Sequence, residues 1–455
     1  MGPKSSSHKV TNCPVMALRR SSKAAHRSQT RSEAGGFESD RLNERFSLIL
    51  AKGFSRIRYG VGLRSSAAVS GRRHASPFAK AQSRRSPRRT RQSSAIRSGV
   101  GRYPGIRFAS DANGRVPCCG VALAIVVGMQ FTRLGRTGLK VSRICLGTMT
   151  FGIQVDETQS RAILDHAADA GVSFIDTADG YPLFGNAQTV GMTEEILGRW
   201  LAGKRQNFIV ATKCFATMGP NPWDRGTSRR HILDAVDNSL RRLHTDWIDL
   251  YQLHNFDPEV PYDETLEALD LLVRNGKVRY VGCSNWPAFR IARAIGLSEA
   301  HNWTRFDSAQ PRYSLLFRQW ERDVLPLCLE EGIGVICFSP LAGGLLTGKY
   351  DRTRRPDPET RFGRHEFSSE MYWHADEFDS VSKLKDIAEE LDLALPTLAI
   401  AWTLHQPGIT APIIGASKPE QLDALLAAVD VKLSEETLAR MDEITRRHRL
   451  GDAPL

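Results

Sequence analysis

Four side chains of unlike chemistry stand at or just beyond the ends of three successive apolar runs. Asp176 and Tyr181 follow Phe174-Ile175, Lys213 follows Val210-Ala211-Thr212, and His254 follows Leu250-Tyr251-Gln252-Leu253. Brought together, an acid, a phenol, an amine and an imidazole form a proton-transfer device. A tyrosine hydroxyl, with an ordinary pKa of about 10, is a poor acid at neutral pH. A lysine ammonium beside it favours the phenolate and is expected to lower that pKa. A carboxylate paired with the lysine keeps it charged and in place. A neighbouring imidazole can hydrogen-bond a carbonyl oxygen and help relay the proton. Such a set would protonate an alkoxide as it develops at a carbonyl carbon receiving hydride. Singly, each residue has a plainer reading: a turn or cap for the Asp, a solvated Lys, a satisfied core His. Their joint placement on successive strands is what points to chemistry.

The elements that must position them alternate. Strand-like runs are expected at 144–148, 173–178, 208–213, 248–254, 278–285, 306–310, 334–339 and 412–417. Helix-period segments lie between them. The segment 156–171 has an Asp cap and a terminal Gly. The segment 228–244 carries Ile232, Leu233, Val236, Leu240 and Leu243 on one face. The segment 263–276 carries Leu266, Leu269, Leu272 and Val273, with Gly276 placed as C′. A short hairpin is expected over 131–143. Eight strand-then-helix units in about 300 residues predict an α/β fold, the (β/α)8 TIM barrel, with chemistry at the C-terminal ends of the strands. A doubly wound open sheet would want a G-x-G-x-x-G after an early strand, and none is present.

The 455-residue chain has a formal charge of +12, which suggests a polyanionic partner until it is divided. Residues 1–128 hold 25 Lys+Arg against 5 Asp+Glu, a net of +20; residues 129–455 hold 37 against 45, a net of −8. The first part is rich in Ser, Arg, Ala and Gly, lacks sustained apolar periodicity, and is expected to be disordered. Three accounts of it stay open: an organelle-targeting leader, opposed by Glu33, Glu38, Asp40 and Glu44; a basic arm for nucleic acid; or a segment absent from a protein that starts at Met129. Sustained patterning begins directly after Met129, which favours the last. Nucleic acid is thus an expected partner only if the extension is retained, and 129–455 is expected to be the catalytic domain. The eight cysteines form no C-x-x-C and no Cys/His cluster, so no metal site is expected and reduced, cytoplasmic thiols are. Cys145, Cys214, Cys283 and Cys337 read as small buried hydrophobes, with redox sensing at Cys214 the lesser alternative. The longest apolar run, 118–129, is too short to span a bilayer.

Several motifs resemble the aldo-keto reductase superfamily. They are Gly147-Thr148-Met149-Thr150-Phe151-Gly152, Phe174-Ile175-Asp176-Thr177-Ala178 with Tyr181 five beyond the Asp, Lys213, Leu250 to His254, Gly282-Cys283-Ser284-Asn285, Gln310, and Ser339-Pro340-Leu341 through Gly348-Lys349-Tyr350. The nearest resemblance is to bacterial NADP(H)-dependent reductases grouped with potassium-channel β subunits. It implies that Asp176, Tyr181, Lys213 and His254 are the catalytic tetrad, with Tyr181 the general acid in reducing a small-molecule carbonyl substrate. It implies that Ser284, Asn285 and Gln310 bind the nicotinamide carboxamide and that Phe338 stacks on the ring. Thr148 and Met149 fall in the same cofactor set. Ser339 and Leu341 match pyrophosphate contacts, and Lys349 and Arg361 match basic contacts to the phosphates. The loop with Gly415, Ser417, Lys418 and Gln421 opens onto Pro419, a good first-turn residue, and a helix start there is expected to hold the 2′-phosphate of NADP(H). The family often continues Glu-Asn at the adenine, where this chain has Ala424-Leu425. The loop 182–192 is longer than in many relatives, so Leu183 and Phe184 are expected as apolar walls of the pocket; Trp223, Trp286, Tyr313 and Trp373 are further candidates, with packing the more usual role of aromatics near a rim. Channel β subunits carry Asn where this chain has His254, which separates an enzyme from the alternative, a cofactor-binding regulatory subunit. The resemblance leaves the oligomeric state open.

Overall fold

The computed structural model describes residues 128–358, 360–364 and 366–450, so the readings of 1–127 lie outside the described residues. Strands β1 (Phe131–Arg133) and β2 (Lys140–Ser142) pair antiparallel as the expected hairpin, with Phe131 opposite Ser142. The following strands are β3 (Cys145–Gly147), β4 (Phe174–Asp176), β5 (Ile209–Cys214), β6 (Ile248–Leu253), β7 (Val278–Ser284), β8 (Ser308–Gln310), β9 (Gly334–Cys337) and β10 (Ile409–Ile414). All eight are parallel and close in the order β3 to β10, with β10 returning to β3. The expected (β/α)8 barrel is therefore the fold.

The helices form where caps and periodicity agree. Helix α1 (Glu157–Asp169) starts at Asp156, whose carboxylate accepts from the Gln159 N–H at 2.8 Å, and it buries Ile163, Leu164 and Ala167. Helix α2 (Met192–Leu201) follows β4. Helix α3 (Arg229–Leu243) is capped by Ser228 and buries Ile232, Ala235, Val236 and Leu243. Helix α4 (Tyr262–Arg274) ends at Asn275, with Gly276 next at φ 78°, the left-handed C′ conformation that glycine adopts without strain. Helices α5 (Ala288–His301) and α6 (Val324–Glu331) complete the regular units. After β9 the chain makes a 3₁₀ segment at Ala342–Thr347, then α7 (Arg361–Arg364), α8 (Glu366–Tyr372), α9 (Ala375–Glu390) and α10 (Leu395–His405). After β10 come a 3₁₀ turn (Pro419–Leu422), α11 (Asp423–Leu426) and α12 (Glu435–Thr445).

The last barrel strand differs from the expectation by three residues. The expected run began at Pro412. That proline sits inside β10 instead, opposite Cys337, just beyond a register shift between Ile409 and Ala411 where the ladder is already irregular.

Side-chain alternation splits the core in two. Cys145, Phe174, Ala211, Leu250, Ile336 and Ala411 fill the barrel interior with Leu134 and Val141 of the hairpin. Leu146, Ile175, Val210, Tyr251 and Val281 point outward against the helices. The five cysteines among the described residues are buried and unpaired. Burial pushes their thiols up, Cys337 to about 12. That bears out the packing reading and leaves Cys214 no thiolate with which to sense oxidants.

The hairpin plugs the N-terminal end of the barrel, and one glycine allows it to sit so close. Gly135 has φ 55°, and a Cβ there would lie 2.3 Å from Gly332 O and 2.4 Å from Gly334 N. We expect Gly135→Ala to cost about 2–4 kcal/mol, the sum of left-handed strain and overpacking. A urea midpoint equal to wild type would show that the plug is not held against β9.

Candidate active site

The inward residues of the strands change character along the barrel. On β5 they run Ile209, Ala211, Lys213; on β6 Leu250 and Gln252, with His254 one residue past its end; on β4 Phe174 and Asp176. Apolar layers at the bottom thus give way to a polar layer at the C-terminal mouth.

The centre of that layer is a buried ion pair. Lys213 Nζ donates to Asp176 Oδ1 at 2.5 Å and to the Thr177 carbonyl at 2.8 Å, with Lys213 fully buried and Asp176 nearly so. It also donates to the Tyr181 hydroxyl at 3.4 Å. Burial works against the lysine charge, yet Asp176 and Tyr181 outweigh it and hold the ammonium above the ordinary lysine range. Tyr181 is half-buried, and its ring meets that of His254 edge-on with centroids 5.8 Å apart. All four expected residues are therefore brought together.

The expected fall in the Tyr181 pKa does not occur. Burial raises it, and the pull of Lys213 only partly compensates, because the same ammonium is also engaged by Asp176. Burial, then Lys213, push the His254 pKa down to about 3, so its imidazole is neutral at pH 7.

Residues from later strands abut this centre. Ser284 Oγ donates to the Gln310 carbonyl at 2.8 Å. Asn285, at φ 61°, donates through Nδ2 to the His254 carbonyl at 3.0 Å and to Ser284 Oγ at 3.2 Å. Gln310 Nε2 donates to Asp176 Oδ2 at 2.9 Å. The amide N–H groups of Asn285 and Gln310 thus face protein acceptors, and their oxygens are what they can offer a ligand. The Thr148 hydroxyl donates to the Asp176 carbonyl at 3.0 Å, and the Met149 carbonyl accepts from the Leu183 N–H at 2.8 Å, tying the loop after Tyr181 to the loop after β3.

The rest of the expected cofactor set spreads along the rim. Phe338 is half-buried; its N–H donates to the Pro311 carbonyl at 3.0 Å, and its own carbonyl accepts from Tyr313. Ser339, at φ 54°, and half-buried Leu341 lead into the turn. Lys349 is exposed, while burial lowers the Arg361 pKa amid Tyr372, Tyr350 and Tyr181. Beyond β10, Gly415, Ser417, Lys418 and Gln421 are exposed. Ser417 and Lys418 line a cleft of about 390 Å³ with Gln154, Asp156, Gln159 and Glu420. Pro419 opens a helical start as expected: a 3₁₀ turn that passes directly into α11, with Leu422 and Asp423 both in right-handed helical backbone. Gln421 Oε1 accepts from the Ser417 N–H at 2.9 Å, so that backbone donor is already engaged.

A family model, the aldo/keto reductase family, matches residues 143–446. The chain belongs to that family. The uncharacterized oxidoreductase YrpG of Bacillus subtilis is 39% identical over 70% of this chain and 96% of its own length. A probable voltage-gated potassium channel subunit beta of Arabidopsis thaliana is 36% identical over 67% and 92%. The versiconal hemiacetal acetate reductase of Aspergillus parasiticus is 32% identical over 69% and 96%. The chain is an oxidoreductase of the aldo/keto reductase family, and among its described residues no helix is long and apolar enough to cross a membrane.

Three aromatic candidates for the pocket prove to be packing. Trp286 is buried among Phe256, Tyr262 and Phe306. Tyr313 is fully buried and stacks on Trp402. Trp373 packs on Tyr350, Phe362 and Phe378. Leu183 is half-buried, while Phe184 and Trp223 stay exposed at the mouth at 37% and 47%, with Ile153 at 48%.

Sequence reasoning also missed a second buried acidic pair behind the site. Asp179 is fully buried, and its N–H donates to the Lys213 carbonyl at 3.0 Å. Beside it, Glu194 accepts from Thr212 Oγ1 at 2.6 Å and Arg242 Nε at 2.7 Å. The guanidinium bonds Glu194 alone and reaches Asp179 only through its charge. Burial, then the Glu194 charge, raise the Asp179 pKa to about 8. The unfolded carboxyl loses its proton near pH 4, whereas the folded one keeps it to about 8. Between those values the folded state holds the extra proton, so stability falls as pH rises through the window. We expect Asp179→Asn to match wild type near pH 4 and to gain on the order of 1 kcal/mol per pH unit towards pH 8. Parallel denaturant midpoints across that range would contradict it.

Proposed function

We propose that residues 129–455 form an NADP(H)-dependent carbonyl reductase that converts aldehydes or ketones to alcohols, with Tyr181 as general acid. The observation that carries this reading is the Tyr181 hydroxyl set 3.4 Å from a buried, Asp176-paired lysine ammonium, with a neutral imidazole alongside. NADPH, when bound, supplies the hydride to the carbonyl carbon. Tyr181 gives its proton to the carbonyl oxygen, and Lys213 stabilises the phenolate that is left. His254, neutral, orients the substrate oxygen by hydrogen bonding. The residues present fit the cofactor. Asn285 and Gln310 offer amide oxygens suited to a carboxamide N–H₂, with Ser284 Oγ bonded to the Gln310 carbonyl and the Asn285 side-chain amide, and Phe338 lies at the end of β9 for ring contact. Ser339, Leu341, Lys349 and Arg361 would meet the phosphates. Ser417 and Lys418 support a 2′-phosphate and hence NADP(H) over NAD(H). Ile153, Phe184 and Trp223, exposed after β3, β4 and β5, suit a substrate with an aromatic or alkyl body. The presence of His254 favours turnover over a purely regulatory role.

Tyr181→Phe is expected to lower reduction of an aromatic aldehyde by roughly 10²- to 10⁴-fold while NADPH still binds, followed by quenching of protein fluorescence. Normal turnover in that variant would remove Tyr181 from its role. Because the phenol is held above its ordinary pKa, reduction should show no loss from Tyr181 ionisation until the pH exceeds about 10, while alcohol oxidation should climb with pH towards that value. A reduction profile falling from pH 7 to 8 would place a different acid at the oxygen.

A further inference from the structure

Gln252 is fully buried in the polar layer, two residues before His254, and it joins two groups that the proposed reaction uses separately. Its Nε2 donates to Asp176 Oδ2 at 3.3 Å, and its Oε1 accepts from Gln310 Nε2 at 3.3 Å. Gln310 Nε2 in turn donates to the same Asp176 oxygen at 2.9 Å. Asp176 Oδ1 belongs to Lys213, so this carboxylate is shared between the lysine and two amides. Because a carboxylate only accepts, the orientation of both amides is fixed: each turns its nitrogen towards Asp176, and Gln252 Oε1 faces the nitrogen of Gln310.

This contact crosses a strand. Gln252 lies on β6 and Gln310 on β8, with β7 between them. On β7 the residue paired with Gln252 is Gly282, where a Cβ would lie 3.3 Å from Gln252 Cγ and 2.1 Å from Ser308 Oγ. A side chain at 282 would fill the space through which the two glutamines meet.

We propose that Gln252 is a positioning residue that locks the Gln310 amide with its oxygen towards the ligand, so that the site selects a nicotinamide ring bearing a carboxamide N–H₂. Without Gln252, the Gln310 amide keeps a single partner through one nitrogen and is freer to turn. Asp176 at the same time loses one of its two amide donors. Gln252 thereby couples the seat of the cofactor to the carboxylate that holds Lys213. The inference rests on the cofactor reading of this site given above.

The test compares NADPH with its 3-acetylpyridine analogue, which keeps the ring carbonyl but has no amide N–H₂. Dissociation constants are measured by fluorescence titration on the full chain, so no turnover is needed. Wild type is expected to favour NADPH by roughly 3- to 10-fold, the worth of one hydrogen bond. Gln252→Met, similar in volume and without the amide, should bring that ratio close to one. A purely structural role would weaken both ligands by the same factor and leave the ratio unchanged, which overturns the proposal, as does a wild type with no preference. Should Gln252→Met not fold, Gln252→Asn, one methylene short of bridging Asp176 and Gln310, replaces it: a ratio near one supports the proposal and an unchanged ratio overturns it. Failure of the reductase reading shows differently: wild type binding neither nucleotide, or binding NADPH and reducing no carbonyl compound.

Discussion

The site is organised by a salt bridge that has left water. Lys213 and Asp176 are buried at the mouth of a closed barrel, where neither charge could persist alone. Such a pair adds little net stability, since desolvation consumes most of the attraction, but breaking it leaves an uncompensated charge in the interior. Every neighbour is placed accordingly. The Thr177 carbonyl and the Tyr181 hydroxyl take the remaining lysine hydrogens, and Gln310 and Gln252 occupy the second carboxylate oxygen. The charges are held by partners from β4, β5, β6 and β8, so the geometry of the site is as rigid as the barrel.

That rigidity depends on what lies beneath. Phe174, Ala211, Leu250, Ile336 and Ala411 fill the interior below the pair, and Leu134 and Val141 of the hairpin close the far end. Water therefore reaches the polar layer from the C-terminal side alone. The same exclusion of water explains how burial, then the charge of Glu194, hold the Asp179 carboxyl behind the site at a pKa of about 8. Its backbone is tied to Lys213, so the second acidic pair braces the strand that carries the lysine.

How much of this was legible in the sequence follows from which interactions are local. Helices α1, α3 and α4 were readable because the apolar period, joined by a capping Asp or Ser in α1 and α3 and by a terminal glycine in α1 and α4, is written within a dozen or so residues. The meeting of Asp176, Tyr181, Lys213 and His254 was readable because each lies in or just beyond a recognisable apolar run. Gln252 was not, although it shares the inward phase of His254, because its partner lies two strands away across Gly282, and no pattern within one strand reports what an absent side chain elsewhere permits. For Trp286, Tyr313 and Trp373 the choice between pocket wall and packing stayed open for the same reason: an aromatic residue near a strand end can face the mouth or the helices, and register decides. The helix start after Ser417 was readable because the fixed φ of Pro419 suits a first helical turn.

The sign of the Tyr181 shift shows how the parts act together. A lysine beside a phenol lowers its pKa in water, yet here burial wins, and the ammonium is already neutralised by Asp176. His254 is kept neutral by that same burial and by the lysine. At neutral pH the phenol is thus the group of the set with a proton to give to an oxygen, and the fixed charges around it sum to zero. An acid of this kind is inert towards a resting carbonyl, whose oxygen is a feeble base. In the reduction proposed above, once hydride begins to arrive and the oxygen becomes an alkoxide, the proton would move downhill and the phenolate left behind would face Lys213 at 3.4 Å. On that reading the high pKa is no handicap to be overcome: it ties proton delivery to the moment at which charge appears.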